Sequence, residues 1–336
     1  MSVRDDFVSD NVAPAMPEVM AALAEANAGA ASSYGTDAVS ARAADLIRQM
    51  LDADAEVRFV ASGTAANALT LAALAAPHEA VLCHEHSHIA TDETGAPGFF
   101  GSGVGLTPLP GASGRISLEA LTRALAEPDG AHHQSAAALS LTNATEYGAV
   151  YTSAEMSALT GPAKAAGLKI HLDGARLANA VAAGFDIAGL ARLGVDIAVL
   201  GGTKAGSTPT EAIVLFDGAL ARRFDARLKH AGQLVSKGRF LAAPWIGLLQ
   251  TGAWTARAAH ANAMAKRLAG LMPFKVAHPV EANAVFVEMD EPTLARLHAA
   301  GWFVYSVADG SVRFMCNWST TAEMVDELGA ALKALT

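Results

Sequence analysis

From Val57 onward the chain alternates short apolar runs with stretches whose apolar residues recur every three to four positions. Val57–Ala61, Ala80–Cys83, Ala136–Leu141, Leu168–Leu172, Ile197–Leu200 and Ala212–Phe216 read as strands. They are too evenly apolar to be wetted on one side, so they predict a buried sheet. The run Ala65–Ala76 after the first of them reads as a helix. Upstream, helices are predicted over Pro17–Ala28 and Val39–Leu51, the latter with Val39, Ala43, Leu46, Ile47 and Met50 on one face. The polar loop Ser33-Tyr34-Gly35-Thr36-Asp37 separates them. Strands alternating with helices predict an α/β fold whose sheet is mainly parallel and covered on both sides.

After Phe240 the pattern changes. A helix is predicted over Trp245–Leu271, then short strands at Ala284–Glu288, Phe303–Val307 and Ser311–Met315, and a closing helix from Thr321. Thr320 and Glu323 have the T-x-x-E spacing of a capping box. The expected organisation is a large domain over residues 1–244, including an N-terminal arm, and a small C-terminal α/β domain over 245–336.

Composition narrows the function. With 336 residues, 52% hydrophobic and 17% charged, the chain is long enough and apolar enough to bury a large core. A net charge of −9 offers no basic field for phosphates, so nucleic acid is not an expected partner. Cys83 and Cys316 give no disulfide framework, which suits a reducing cytoplasm. Met1–Asp10 is polar and acidic, unlike a secretory leader. No apolar run reaches the roughly 18 residues of a membrane span, so no membrane partner is expected.

Candidate chemistry falls just past strand ends, where ligands bind in open α/β sheets. Ser62-Gly63-Thr64 leads into a helix whose free N–H groups suit one phosphate. The plain alternative is a strand-to-helix turn capped by a hydroxyl. His88 can stack on an aromatic ring and move protons near neutral pH. His84, His86 and His88 alternate, so a shared strand face binding metal is a rival, and a polar loop another. Asp173, at the end of a buried strand, needs a partner. A protonated pyridine nitrogen would serve, and the ring could then accept electrons. Arg176 could grip a substrate carboxylate with a two-point fork, or simply pair with an acid. Lys204 lies among small residues in Gly201-Gly202-Thr203-Lys204-Ala205-Gly206. A lysine shielded from water can attack a carbonyl, with glycines giving a cofactor room, though a surface lysine in a glycine-rich loop is the alternative. No P-loop pattern is present, and Gly101-Ser102-Gly103 lacks the third glycine of a dinucleotide fingerprint, having Leu106 there.

A phosphate cup, a stacking ring, an acid for the ring nitrogen and an imine-forming lysine follow one another in the order used by fold-type I pyridoxal 5'-phosphate (PLP) enzymes. Asp173 and Lys204 are 31 residues apart, a gap typical of that group. Within it the chain resembles the low-specificity threonine aldolase branch of the β-eliminating lyase family. Ser9-Asp10-Asn11, Tyr34-Gly35, Ser62–Asn67, His84–Ala96, Thr145–Gly148, His171–Arg176, Gly201–Gly206 and Arg313 carry the resemblance nearly end to end.

The resemblance implies PLP as cofactor and a fold-type I architecture. Lys204 would join the cofactor covalently, and Asp173 would face its ring nitrogen. Ser62, Gly63 and Thr64 would hold the phosphate, with Thr203 assisting. His88 would stack on the ring and act as base, while Ser9, Arg176 and Arg313 would hold the substrate carboxylate. Glu146 stands where many members carry a histidine, which makes it a second candidate for the base. Lys237 and Arg239 are out of register with the arginine that a neighbouring subunit gives to the phosphate in this family, and Tyr34 is placed to reach a neighbour's site. The implied reaction is cleavage of an L-3-hydroxy-amino acid to glycine and an aldehyde, in a homodimer or homotetramer. Elimination or transamination on the same scaffold, and a non-catalytic binding module, are the rival readings.

Overall fold

The computed structural model describes residues 4–128 and 130–336; Met1–Val3 of the polar N-terminal stretch lie outside it. Seven strands form the main sheet: β1 (Glu56–Val60), β2 (Glu79–His84), β3 (Gly105–Leu109), β4 (Ser135–Thr142), β5 (Lys169–Gly174), β6 (Ile197–Gly201) and β7 (Glu211–Leu215). Their order is β1-β7-β6-β5-β4-β2-β3. The run from β3 to β6 is parallel, and β7 alone runs against its neighbours β6 and β1. Alternate residues serve two cores. Ile197 and Val199 of β6 pack into one layer with Val81, Cys83 and Leu69, and Ala198 and Leu200 into the other with Leu139, Leu172 and Trp245. That two-sided burial explains why the strands read as continuous apolar runs.

A second sheet, in the order β8-β10-β9, contains β8 (Ala284–Val287), β9 (Tyr305–Ser306) and β10 (Val312–Met315) and is antiparallel. Its core gathers Val285, Val287, Leu297, Phe314, Leu328 and Leu332, together with Phe7 from the N-terminal arm. The arm is tied to this lobe by the Met315 N–H donating to the Phe7 carbonyl. It then crosses to the main sheet, where the Met16 N–H donates to the Gly206 carbonyl. Ser9 and Asp10 are thus strung between the two sheets.

Several expectations change. The helix expected over 245–271 is two helices, Arg239–Gln250 and Ala253–Leu271, separated where Gly252 adopts φ 71°. Position 244 falls inside the first, which packs against the helices Pro17–Ala26 and Ala38–Leu51. β3 was not anticipated; it is an edge strand containing Pro108, whose missing N–H hides the strand signal. The strand expected over Phe303–Val307 shortens to Tyr305–Ser306. The Thr320–Glu323 capping box does not form. Thr321 caps the last helix by accepting from the Met324 N–H, while the buried Thr320 hydroxyl accepts from the Asn317 N–H. The complete capping box is Thr152 with Glu155, at the start of helix Ser153–Ala165.

Candidate active site

The C-terminal ends of β2, β4, β5 and β6 open toward one cleft of about 560 Å³. Ser9, His88, Glu146, Arg176, Lys204 and Arg313 all line it, brought together from positions 9 to 313 of the chain. Asp173 lies behind them, 2% exposed. Ser62, Gly63, Thr64 and Thr203 do not line the cleft.

Asp173 sits at the end of β5. Asn67 Nδ2 donates to its Oδ2 at 2.9 Å and the Ala175 N–H to its Oδ1 at 3.0 Å. Among the described residues no cation is within ion-pair distance, so a buried carboxylate is held by neutral donors alone. A protonated ring nitrogen is the kind of partner such a group lacks. Asn67 lies on helix Gly63–Leu74, and its bond to Asp173 fixes that helix relative to the sheet. At the helix start, Ser62 is exposed and its hydroxyl accepts from the Ala65 N–H as the N-cap. Gly63 has open space where a Cβ would stand. The helix N-terminus therefore offers Gly63 and Thr64 to an anion, while Ser62 shapes the turn.

Lys204 follows β6 in a tight turn and is half-buried. The two glycines before it meet backbone: a Cβ at Gly201 would come 2.1 Å from the Ala175 carbonyl oxygen, and one at Gly202 would come 2.5 Å from that of Thr210. Their smallness lets neighbouring chain segments close up, a correction to the expectation that they make room for the cofactor. The Thr203 hydroxyl accepts from the Thr210 N–H at 3.1 Å and so braces the turn. Beneath it the Gly202 N–H donates to Glu211 Oε2 at 2.8 Å. Burial pushes the Glu211 carboxyl up to about 7, against the pull of that hydrogen bond.

His88 opens a short helix, His88–Thr91, beyond the end of β2. The three histidines therefore do not share a strand face. Both ring nitrogens of His84 are taken, Nε2 by the Gly111 carbonyl and Nδ1 by the His86 N–H. His88 Nδ1 lies 2.9 Å from Glu93 Oε1, and that hydrogen bond, opposed by burial and aided by the charge of Glu146, holds the imidazole above its ordinary pKa. Glu93 is buried, and burial raises its carboxyl pKa.

Arg176 makes a two-point fork, Nε to Asp10 Oδ2 at 2.7 Å and Nη2 to Asp10 Oδ1 at 3.0 Å. The fork expected for substrate is thus closed on the N-terminal arm, leaving Nη1 3.9 Å from Glu146. Burial opposes the charge, but Asp10 outweighs it and raises the Arg176 pKa. Asn283 also donates to Asp10 Oδ2, at 3.2 Å. Across the cleft, Arg313 Nη2 donates to the Tyr305 hydroxyl, and its Nε is buried without a partner among the described residues. Burial first, then the like charge of Arg176, pull the Arg313 pKa down. Two guanidiniums face a cleft in which Asp10 answers only one of them.

Sequence reasoning gave no role to Asn67, Glu93, Asp10, Asn283 or Tyr305. Asn67, Asp10 and Glu93 lay inside segments already singled out, but they sit in a helix, the N-terminal arm and a loop, where no local signal marks them. Asn283 and Tyr305 carried none, because only the fold brings them to the cleft.

Fold and site together define an enzyme of the fold-type I PLP class. The chain belongs to the β-eliminating lyase family, whose family model matches residues 6–292. It is 43% identical to a low specificity L-threonine aldolase of Pseudomonas aeruginosa over 97% of this chain and 96% of that protein. It superposes on the Leishmania major threonine aldolase with a TM-score of 0.92 and 30% identity, covering 98% of both chains. A structure of SPT with PLP shares the fold alone, with a TM-score of 0.70, 16% identity, and coverage of 98% of this chain and 86% of that one. PLP is the cofactor of this family and fold, and the unpaired Asp173, the open helix start at Gly63 and the cleft-lining Lys204 fit it.

Proposed function

We propose that the protein cleaves L-threonine, L-allo-threonine or related L-3-hydroxy-amino acids such as 3-phenylserine to glycine and an aldehyde. The observation that carries this is a single cleft lined by a lysine, a histidine and two arginines, with a buried acid behind it. Bound there, PLP supplies a ring that draws electrons from the bond being broken. Lys204 would hold it, and Asp173 would face its ring nitrogen. Gly63 and Thr64 take the phosphate, with Ser62 and Thr203 shaping the two turns around it.

Arg313 and the remaining face of Arg176, with the Ser9 hydroxyl, grip the substrate carboxylate. That orients Cα, and the L configuration follows from the similarity to L-threonine aldolases. His88 takes the β-hydroxyl proton as the Cα–Cβ bond breaks and the aldehyde C=O forms; Glu146 is the second candidate for that base. The α-carbon regains one proton, so threonine gives glycine and acetaldehyde with nothing else consumed. Product analysis with threonine and 3-phenylserine tests the reading. Glycine with acetaldehyde or benzaldehyde is expected, whereas ammonia with a keto acid would establish elimination instead.

The same reading includes a homodimer or homotetramer, supported by exposed apolar side chains at Phe99 (79%), Met20 (52%) and Tyr34 (44%). It includes a cytoplasmic setting, supported by two buried free thiols. No described helix is long and apolar enough to cross a membrane. It also includes division into a large and a small lobe, supported by the two separate sheets and their separate cores; the boundary expected at 244 falls inside helix Arg239–Gln250, whose Trp245, Ile246 and Leu248 join the core of the large lobe.

A further inference from the structure

We propose that Glu93 is a positioning residue that fixes His88 with Nε2 toward the reacting hydroxyl and is itself anchored, through Asn67, to the acid at the floor of the site. This rests on the aldolase reading and assigns a part to a buried carboxyl outside the cleft lining. Glu93 Oε1 is 2.9 Å from His88 Nδ1 and accepts from Asn67 Nδ2 at 2.9 Å. The same Asn67 Nδ2 donates to Asp173 Oδ2 at 2.9 Å. An amide nitrogen has two hydrogens, and here both are spent, one on each carboxylate. Asn67 cannot be turned over without presenting its oxygen to two acids. The chain His88–Glu93–Asn67–Asp173 therefore has a fixed sense.

The consequence for the chemistry is specific. With Nδ1 engaged by Glu93, Nε2 is the imidazole nitrogen left for the cleft. When Nε2 takes the β-hydroxyl proton, the positive charge that forms lies against Glu93. The proton accepted equals the one the glycine α-carbon regains, so none is lost overall. The other charged groups bearing on His88 are Glu146 after β4 and Asp173 on β5, which favour its protonation, and Lys204 after β6, which opposes it. Glu93 is the one in direct contact.

The test is a histidine NMR titration of the holoenzyme, with the His88 signal identified by its loss in His88→Phe. In the wild type His88 is expected to titrate above the free value of about 6.5, and Glu93→Gln to lower that midpoint by about one unit. The acid limb of kcat/KM should move down by the same amount. In Glu93→Gln kcat should fall about 10- to 100-fold, the size of one charge-assisted hydrogen bond, with the visible cofactor band retained. Glu93→Asp should recover part of both. A His88 midpoint that is the same with and without the Glu93 carboxylate overturns the proposal, as does a kcat loss with no shift of the acid limb. Should Glu93→Gln not fold, a wild-type midpoint at or below the free value overturns it alone. Failure of the aldolase reading is a separate result, seen as the absence of glycine from the wild-type reaction.

Discussion

The floor and the rim of the cleft are built on opposite plans. The floor is the chain His88–Glu93–Asn67–Asp173, contributed by the main sheet and its flanking segments and linked by direct hydrogen bonds. The rim is Ser9, Arg176, Tyr305 and Arg313, drawn from the N-terminal arm, the end of β5 and the small lobe. The floor is connected within itself before any ligand arrives. The rim holds Arg313 Nε buried without a partner among the described residues and carries one more cation than Asp10 can balance. A preformed floor suits a resident group, and a rim short of an anion suits a transient one. The two regions should therefore fail in different ways.

The largest expected effect is at the floor. On the proposed reading Asp173→Ala removes the acid that would face the ring nitrogen, and removing one partner of a buried charge pair costs about 3–5 kcal/mol. The loss should appear in kcat, on the order of 10²–10⁴-fold, with KM for threonine little changed. A variant whose defect lay wholly in KM would break the distinction between floor and rim.

Asp10→Asn comes next, and it strikes the junction that holds the rim. It leaves the Arg176 guanidinium buried without its counter-ion, a destabilisation of about 3–5 kcal/mol readable by urea unfolding. Burial raises the Asp10 pKa, but the charge and hydrogen bonds of Arg176 outweigh it and leave the carboxyl below its ordinary value. A depressed acid stabilises the fold above its unfolded pKa of about 3.9 and loses that contribution as pH falls through the lower folded value. Wild type should thus shed stability below pH about 4, and Asp10→Asn should shed less there because it has already lost it at neutral pH.

Arg313→Lys is a finer probe of the rim. It keeps the charge but not the planar fork, so KM should rise about 10-fold, the low end for one hydrogen bond to a charged group, with kcat nearly unchanged. A fall in kcat with constant KM would place Arg313 with the floor.

The floor was the more legible of the two regions in the sequence. Asp173 ends an apolar strand and His88 stands beyond one, where a polar residue has to be explained, although Asn67 and Glu93 between them gave no signal. Of the rim, Arg176 was readable as a fork for a carboxylate, while Ser9 and Arg313 came through resemblance alone, since nothing local links position 9 to 176 and 313. The same contrast runs through the fold. The central strands were readable because both faces are buried, whereas β3 hid behind Pro108 and the long helix concealed its break at Gly252. T-x-x-E spacing at 320 and 323 pointed to the wrong threonine, because Thr320 is spent on Asn317. The smallest predicted effect checks that point. Thr321→Ala should destabilise by about 1 kcal/mol, as loss of an N-cap does, and Glu323→Ala by much less. Equal losses would restore the box.

All of this depends on Lys204 being the residue that holds the cofactor. The direct measurement is the visible absorption spectrum of purified protein supplied with PLP, wild type beside Lys204→Ala. The account predicts that the band of covalently held cofactor is present in the wild type and absent in the variant. The same band at the same strength in Lys204→Ala would contradict it.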